Sequence, residues 1–254
     1  MKKNKDVIAG LGEIGIPLKK LFSKNAIVEG YDANKKLINL KETKFTESFD
    51  TRFLHICIPF NENFIKSVKK LIVKFDPECA IIHSTVKPNT TKKIQDSVKI
   101  PIMYSPIRGV HERMQSDLKR YTKFYSIEKN APRQKWAIKN YSNFLKKCGI
   151  KAKKSSSPVT LELGKIICDT SYYGWLISYA QLSNTIAINH NVKFDEMWEF
   201  SDEIHKYLGN RPKMFPGIIG GHCVIPNLDL IHNQTLDLIK KMNNTYSKIK
   251  INKK

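Results

Sequence analysis

The sequence predicts an α/β fold in which a doubly wound parallel sheet is followed by a small all-helical domain with a long connecting helix. Up to residue 157, short apolar runs alternate with helical stretches and recur about every 25 residues, the spacing that βαβ units require. From Pro158 a helical pattern then continues without a strong breaker to about Asn189. We therefore expect two domains, residues 1–157 and 158–254.

Six apolar runs are the predicted strands of the sheet. They are short and aliphatic, and helical patterns separate most of them, which favours buried parallel strands. The runs are DVIAGLG, AIVEGYD, FLHICIP, CAIIHST, IPIMYSP and KFYSIEK. The predicted helices of this domain are IPLKKLFS, NKKLINLK, NFIKSVKKLIVKF, NTTKKIQDSV and PRQKWAIKNYSNFLKKC, the last of which ends at Gly149.

The second domain is predicted to begin with the long helix. Ser157 is a favourable N-cap and Pro158 a favourable first helical residue. A helix of roughly 30 residues far exceeds the usual length of about 12. Its YYGWLISY segment carries more aromatic surface than a small domain readily covers, so we expect it to pack against its copy in a homodimer. Two further predicted helices, FDEMWEFSDEIHKYLG and NQTLDLIKKMNNTYSKI, flank the loop FPGIIGGHCVIPNLD.

The charge balance is strongly basic. The chain has 44 lysine and arginine residues against 23 aspartate and glutamate residues, a formal net charge of +21. Nucleic acid is the first partner that such a charge suggests. However, the lysines are spread over the whole chain, and no motif that reads nucleic acid is visible. A solvated lysine-rich surface is therefore favoured over a specific nucleic-acid surface, and an anionic small-molecule substrate is compatible with it.

Cysteine usage and hydropathy predict a cytoplasmic protein without a metal site. The five cysteines lack CxxC spacing, which argues against a disulfide framework or a zinc site. No apolar run approaches the roughly 20 residues that span a bilayer. The first apolar run is interrupted by Glu13 and lacks a cleavage site, so it is interpreted as the first strand rather than as a signal peptide.

The first strand ends in a G-x-G-x-x-G motif. Gly10 is expected to make the tight turn, Gly12 to let a pyrophosphate approach the backbone, and Gly15 to let the next helix pack on the strand. Asp32 lies at the end of the second strand, where its carboxylate would bind the adenosine ribose hydroxyls. This context predicts a Rossmann-type domain that binds NAD. The carboxylate disfavours a 2′-phosphate, although Lys35 and Lys36 keep NADP open.

With these residues in place, the chain resembles the UDP-glucose/GDP-mannose dehydrogenase family. Seven segments carry the resemblance in family order and cover nearly the whole chain. They are GLGEIGIPL, GYDAN, ICIPF, HSTVKPNTT, YSPIRG, ELGKIICDT and GIIGGHCVIPN. The resemblance implies that NAD contacts Gly10, Gly12, Glu13, Ile14, Gly15, Asp32, Pro59, Ser84 and Thr85.

The resemblance also implies a covalent mechanism. Cys223 matches the family nucleophile, which captures an aldehyde as a thiohemiacetal during oxidation of a primary alcohol to an acid with two NAD molecules. Lys165 would lower the thiol pKa and stabilise the oxyanion. Thr85 would help to place water or a proton. The implied catalytic residues are Cys223, Lys165, Asp169, Thr85 and Asn227, and the implied substrate-binding residues are Arg108, Gly221 and His222.

Four features depart from the family pattern. Asp169 replaces asparagine, Asn227 replaces aspartate, and Ile107 replaces a glutamate after the SP dipeptide. The chain also resembles a short member that lacks the C-terminal domain gripping the nucleotide of the substrate. Two alternatives therefore stay open beside the four-electron enzyme. One is a two-electron dehydrogenase of the β-hydroxyacid type, and the other is a non-catalytic NAD-binding relative.

Overall fold

The computed structural model describes residues 3–207, 216–221, 224–230 and 234–248. The described residues form two compact units that divide between Leu163 and Gly164. The helix that begins at Pro158 therefore contributes its first residues, Pro158–Leu163, to the first unit.

The first unit is built on a seven-stranded sheet with the order β2-β1-β3-β4-β5-β6-β7. Neighbouring strands are parallel except for β5 and β6, which are antiparallel. The strands are β1 (Asn4–Ala9), β2 (Val28–Tyr31), β3 (Asp50–Ile56), β4 (Cys79–Ile82), β5 (Ile102–Tyr104), β6 (Lys123–Ile127) and β7 (Ala152–Lys154). The predicted fold class is confirmed, and all six predicted strands are present.

Helices cover both faces of this sheet, as a doubly wound fold requires. They are α1 (Gly15–Phe22), α2 (Leu40–Thr46), α3 (Phe64–Phe75), α4 (Thr90–Gln95), α5 (Met114–Arg120), α6 (Gln134–Lys147) and α7 (Pro158–Leu163). Strand β1 shows why two layers form, because its successive side chains point to opposite faces. Ile8 packs in one core with Leu18 and Phe144, whereas Val7 packs in the other with Phe64.

Two elements of this unit were not predicted, and the helix predicted for NKKLINLK is displaced, because a 3₁₀ turn covers Lys35–Leu37 and α2 begins only at Leu40. Strand β7 has the sequence AKK and is exposed throughout, so its composition is that of a linker. Helix α5 lies between β5 and β6, where the sequence carries Arg108, Gly109 and charged residues rather than a clear amphipathic pattern. Both are held by pairing and packing with neighbouring elements rather than by local sequence preference.

In its described residues, the second unit continues the long helix and adds four short or medium helices. A π-helical segment (Gly164–Ser171) leads into α8 (Tyr172–Asn189), so the predicted helix from Pro158 to Asn189 is confirmed as three consecutive segments. The remaining helices are α9 (Phe194–Glu199), α10 (Asp202–Tyr207), α11 (Val224–Leu228) and α12 (Gln234–Ser247). The stretch predicted as one helix from Phe194 is thus divided at Phe200 and Ser201.

The core of the second unit forms where α8 meets α11 and α12. Ile177, Val224 and Ile239 are buried there. Gly174 permits the close approach, since a Cβ atom at this position would lie 2.9 Å from Val224 Cγ1. Within the described part of the chain, no helix combines the length and the apolar character needed to cross a membrane.

Candidate cofactor and catalytic site

The turn between β1 and α1 has the geometry that its glycines predict. Gly10 has a φ of +98°, and a Cβ atom there would lie 2.7 Å from the backbone carbon of Cys57. A Cβ atom on Gly15 would lie 1.7 Å from the carbonyl oxygen of Gly10. By contrast, a Cβ atom on Gly12 would meet nothing within 4 Å. The outer glycines are therefore needed for the turn itself, whereas Gly12 leaves open space in front of the backbone.

The start of α1 provides a hydrogen-bond donor beside this open space. Ile14 occupies the N-cap position and has no polar side-chain atom to cap the first amides of the helix. Among the first residues of α1, Ile16 donates its N–H to the Gly12 carbonyl oxygen at 3.1 Å and Pro17 has no N–H, so the Gly15 N–H is the donor that remains; together with the helix dipole it favours an anionic group. Glu13 is exposed in this turn and Ile14 is half-buried. The turn therefore fits a pyrophosphate.

Asp32 is held against the same turn. Its Oδ2 accepts a hydrogen bond from the backbone N–H of Leu11 at 2.7 Å, and its Oδ1 accepts one from Asn34 at 2.8 Å. Each carboxylate oxygen can accept more than one hydrogen bond, so both oxygens keep capacity for ribose hydroxyls. The side chain is half-buried. The structure thus places Asp32 beside the glycine turn, with both carboxylate oxygens able to accept further hydrogen bonds.

The loops after β3 and β4 bring further predicted residues to the carboxyl edge of the parallel strands. Ser84 Oγ donates to the carbonyl oxygen of Ile58 at 2.6 Å and so ties the two loops together. Pro59 is exposed next to this bond, and Thr85 is half-buried. Ligands of open α/β sheets bind in the crevice outside this edge.

The segment after β5 carries Ile107 and Arg108. Ile107 is 4% exposed and belongs to the core that contains Met114. The Arg108 guanidinium donates to the carbonyl oxygen of Thr122 at 2.5 Å and lies 5.0 Å from the centre of the Phe124 ring. Arg108 is thus anchored on the strand that follows, and Ile107 serves packing.

Lys165 and Asp169 meet in the π-helical segment. Lys165 Nζ donates to Asp169 Oδ2 at 2.6 Å. The Lys165 side chain is 14% exposed, and that of Asp169 is 43% exposed. π-Helical turns are rare and occur frequently at functional sites. The structure therefore joins the two predicted helix residues, and the carboxylate offsets the charge of the ammonium group.

The cysteine loop is described in part. Cys223 and His222 lie outside the described residues, and Gly221 has a φ of +70°. Asn227 lies half-buried in α11. The placement of the thiol relative to the other predicted residues thus stays a prediction.

Two polar residues that the sequence reading missed anchor the beginning of this loop. Gln181 Nε2 donates to the carbonyl oxygen of Gly217 at 2.7 Å. Asn243 accepts from the N–H of Ile219 at 2.8 Å and donates to its carbonyl oxygen at 3.1 Å. Both side chains are buried. Burial of a polar side chain would have pointed to a role in holding the loop, but the sequence alone does not show which polar side chains are buried.

The sequence reading also missed a buried cluster under the loops of the first unit. His55, His83 and Lys123 are each less than a tenth exposed. His55 Nδ1 lies 2.9 Å from His83 Nε2, and His83 Nδ1 lies 2.7 Å from the carbonyl oxygen of Ser105. Burial, reinforced by the positive charges of Arg52 and Lys123, lowers the pKa of His55 to about 3. Burial and Lys123 likewise lower the pKa of His83.

Comparisons with known proteins identify the fold. No protein-family model and no curated protein sequence matches the chain. Among solved structures, the UDP-D-ManNAc dehydrogenase of Pyrococcus horikoshii is 17% identical with a TM-score of 0.75, over 95% of this chain and 68% of that one. The UDP-glucose dehydrogenase of Pyrobaculum islandicum is 15% identical with a TM-score of 0.72, over 96% of this chain and 68% of that one.

A third neighbour matches at nearly full length on both sides. The 3-hydroxyisobutyrate dehydrogenase of Mycobacterium tuberculosis is 12% identical with a TM-score of 0.66, over 98% of this chain and 94% of that one. At these identities the similarity is one of fold. The chain thus shares a Rossmann-type sheet followed by a helical unit with structures of two dehydrogenase groups.

Proposed function

We propose that this protein is an NAD-dependent dehydrogenase that oxidises an alcohol carbon and is related to the UDP-glucose/GDP-mannose dehydrogenases. The observation that carries the proposal is the open turn at Gly12, flanked by two sterically required glycines and by a tethered Asp32. The open backbone at Gly12 lies beside the positive end of the α1 dipole, and Asp32 is tethered to the same turn through Leu11. A dinucleotide pyrophosphate and its ribose account for both features.

NAD is proposed over NADP because of charge. The Asp32 carboxylate lies where the ribose hydroxyls would bind, and it would repel a 2′-phosphate. Lys35 and Lys36 follow in the short 3₁₀ helix Lys35–Leu37, and their positive charge would favour a 2′-phosphate. The ratio of the NADH and NADPH dissociation constants measures how strong the preference for NAD is. Bound NAD would supply the hydride acceptor.

The protein side of the reaction is assigned to the loops and to the π-helical segment. The Lys165 ammonium would stabilise negative charge on the substrate oxygen. Asp169 would hold Lys165 in place through the 2.6 Å contact. Thr85 would help to orient water or a proton at the carboxyl edge of the sheet. Cys223 is proposed as the nucleophile on the strength of the GGHC segment, with Asn227, Arg108, Gly221 and His222 around the substrate.

A covalent route through Cys223 gives complete oxidation to the acid. The first hydride transfer would leave an aldehyde, to which the Cys223 thiolate adds. A second hydride transfer would convert the thiohemiacetal to a thioester, and water would then cleave the carbon–sulfur bond and regenerate the thiol. The route forms two NADH and consumes one water for each alcohol.

A two-electron hydroxyacid dehydrogenase is the second candidate. The observation in its favour is the match to the 3-hydroxyisobutyrate dehydrogenase, which is shared over nearly the full length of both chains. The Lys165–Asp169 pair is compatible with this chemistry, in which one hydride leaves and no covalent intermediate forms. Such an enzyme forms one NADH for each substrate.

The remaining expectations concern partners and location. A homodimer through the long helix is supported by exposed apolar side chains on α8, namely Tyr172, Tyr173, Tyr179, Leu182, Ile186 and Ile188. The basic surface agrees with a small anionic substrate rather than a specific nucleic acid, and we propose a cytoplasmic location.

The test combines binding with product counting. NADH is titrated by fluorescence, and the purified protein is then incubated with NAD and UDP-glucose, UDP-N-acetylmannosamine or 3-hydroxyisobutyrate. Two NADH per substrate consumed supports the covalent route, whereas one supports the hydroxyacid route. Absence of NADH binding at millimolar concentration would remove the proposal as a whole.

A further inference from the structure

A buried lysine holds the segment that follows β5. Lys123 begins β6 and is 4% exposed. Its Nζ donates to the carbonyl oxygens of Ser105 at 2.6 Å and of Pro106 at 3.0 Å. Because β6 runs antiparallel to β5, the first residue of β6 lies at the carboxyl end of β5. Lys123 therefore acts on the backbone just where the chain leaves the sheet.

The Ser105 carbonyl oxygen determines which nitrogen atoms of the two histidines beside Lys123 carry hydrogen. A carbonyl oxygen only accepts, so His83 Nδ1, 2.7 Å from Ser105 O, carries the hydrogen. His83 Nε2 then accepts from His55 Nδ1 at 2.9 Å. His55 Nε2 is left as a buried acceptor without a hydrogen-bond partner among the described residues. Burial lowers the pKa of both rings, so the histidines are neutral near pH 7, and the Lys123 Nζ is the donor to the two carbonyl oxygens.

Ser105 is held through each of its polar groups. Its N–H donates to Ile82 O at 2.8 Å, and its Oγ donates to Phe124 O at 2.8 Å. Tyr141 donates to that Oγ at 3.1 Å. Together with the bonds to Lys123 and His83, these hydrogen bonds restrain the backbone where the chain leaves β5.

The same cluster reaches the neighbouring loop. His83 directly precedes Ser84, whose Oγ donates to Ile58 O, and the N–H of His83 donates to Ile56 O at 2.9 Å. The segments after β3, β4 and β5 are thus linked side by side at the edge of the sheet where ligands of this architecture bind.

The position of the charge is specific. Removing an ammonium group from water costs several kcal/mol, whereas an apolar side chain here would leave the Pro106 carbonyl oxygen without its Lys123 donor. The charge is directed at two consecutive carbonyls that end a strand. Such an arrangement fixes backbone direction, which matters where reacting atoms must be placed within fractions of an ångström.

We propose that Lys123 is a positioning residue for the crevice: it fixes the carbonyls of Ser105 and Pro106 and, through His83, the adjoining Ser84 segment, so that the reacting half of cofactor and substrate is correctly placed. The inference rests on the proposed function. The adenosine half is assigned to Gly12 and Asp32, which follow β1 and β2.

The test compares Lys123→Met with Lys153→Met, a matched change at an exposed position on β7. Hydrogen exchange is followed in peptides covering residues 84–89 and 105–110 without ligand. NADH affinity is then measured, together with kcat and KM for whichever of UDP-glucose, UDP-N-acetylmannosamine and 3-hydroxyisobutyrate the wild type oxidises. All measurements are made at a temperature where melting curves show every variant folded. Lys123→Gln, which keeps N–H donors, serves if Lys123→Met does not fold.

We expect Lys123→Met to speed exchange in the 105–110 segment and to lower kcat, each about tenfold or more, while the NADH dissociation constant stays within about twofold. Lys153→Met should behave as the wild type. Unchanged exchange in Lys123→Met would overturn the inference, as would a kcat that recovers when the temperature is lowered. If the wild type neither binds NADH nor turns over, the proposed function fails, and the exchange measurement alone decides whether Lys123 orders the segment.

Discussion

Gly12→Ala separates cofactor binding from folding, because the added methyl group meets open space in the protein. A Cβ atom at Gly12 has nothing within 4 Å, and the φ of this residue lies outside the left-handed region. The free energy of unfolding should therefore change by no more than about 1 kcal/mol. It can increase, because alanine has fewer backbone conformations than glycine in the unfolded chain. A pyrophosphate that must approach the Gly12 backbone would meet the methyl group directly.

The expected loss of affinity follows from the contacts displaced. A hydrogen bond from a backbone amide to a charged phosphate contributes about 1.5–3 kcal/mol. Losing one such bond raises the dissociation constant for NADH about 10- to 150-fold. Fluorescence titration with NADH measures this ratio, and a thermal melt of the same samples measures stability.

Two comparison variants sharpen the result. Gly164→Ala is matched, since its Cβ atom also meets nothing within 4 Å, and it should leave NADH affinity unchanged. Gly15→Ala should impair folding, because its Cβ atom would lie 1.7 Å from the carbonyl oxygen of Gly10. If Gly12→Ala melts like the wild type and binds NADH with the same affinity, the assignment of this turn to the pyrophosphate is refuted.

Four further outcomes are expected. Asp32→Ala should weaken NADH binding by about 1–3 kcal/mol in the same titration, and an unchanged affinity would exclude Asp32 from the ribose site. Cys223→Ser should retain NADH binding but lose complete oxidation, so acid formed at the wild-type rate would contradict covalent capture. Light scattering at micromolar concentration should give the mass of a dimer, and a strictly monomeric mass would count against pairing of α8. Folding lowers the pKa of His55 from 6.5 to about 3, so below pH 6.5 the unfolded chain binds a proton that the folded protein does not. The free energy of unfolding should therefore fall as the pH drops below 6.5, by up to about 1.4 kcal/mol per pH unit. His55→Phe should reduce that acid-side slope in urea titrations, with the part due to His83 remaining, and an unchanged slope would place the effect elsewhere.

Local spacing was enough to predict the glycine turn between β1 and α1, and its role in binding a pyrophosphate stays a prediction. Gly10, Gly12 and Gly15 act within one strand–turn–helix unit, so their roles depend on residues that are close in sequence. Asp32 was predicted from its distance to that turn, and the structure joins the two through the N–H of Leu11. The pairing of Lys165 with Asp169 was likewise predictable, because residues four apart share a helix face.

Tertiary packing decided what residue order could not. The sequence by itself determined the alternation of strands and helices, the long helix and the glycine turn, since each depends on periodicity or spacing within a short window. Strand β7 is a run of exposed alanine and lysine that is a strand only because β6 pairs with it. His55 lies on β3, His83 directly follows β4 and Lys123 begins β6, so the three side chains meet only when the sheet forms, with β6 reversed against β5. The burial of these side chains, and with it their protonation states, depends on neighbours that are distant in sequence. Only the folded structure therefore assigns them a role.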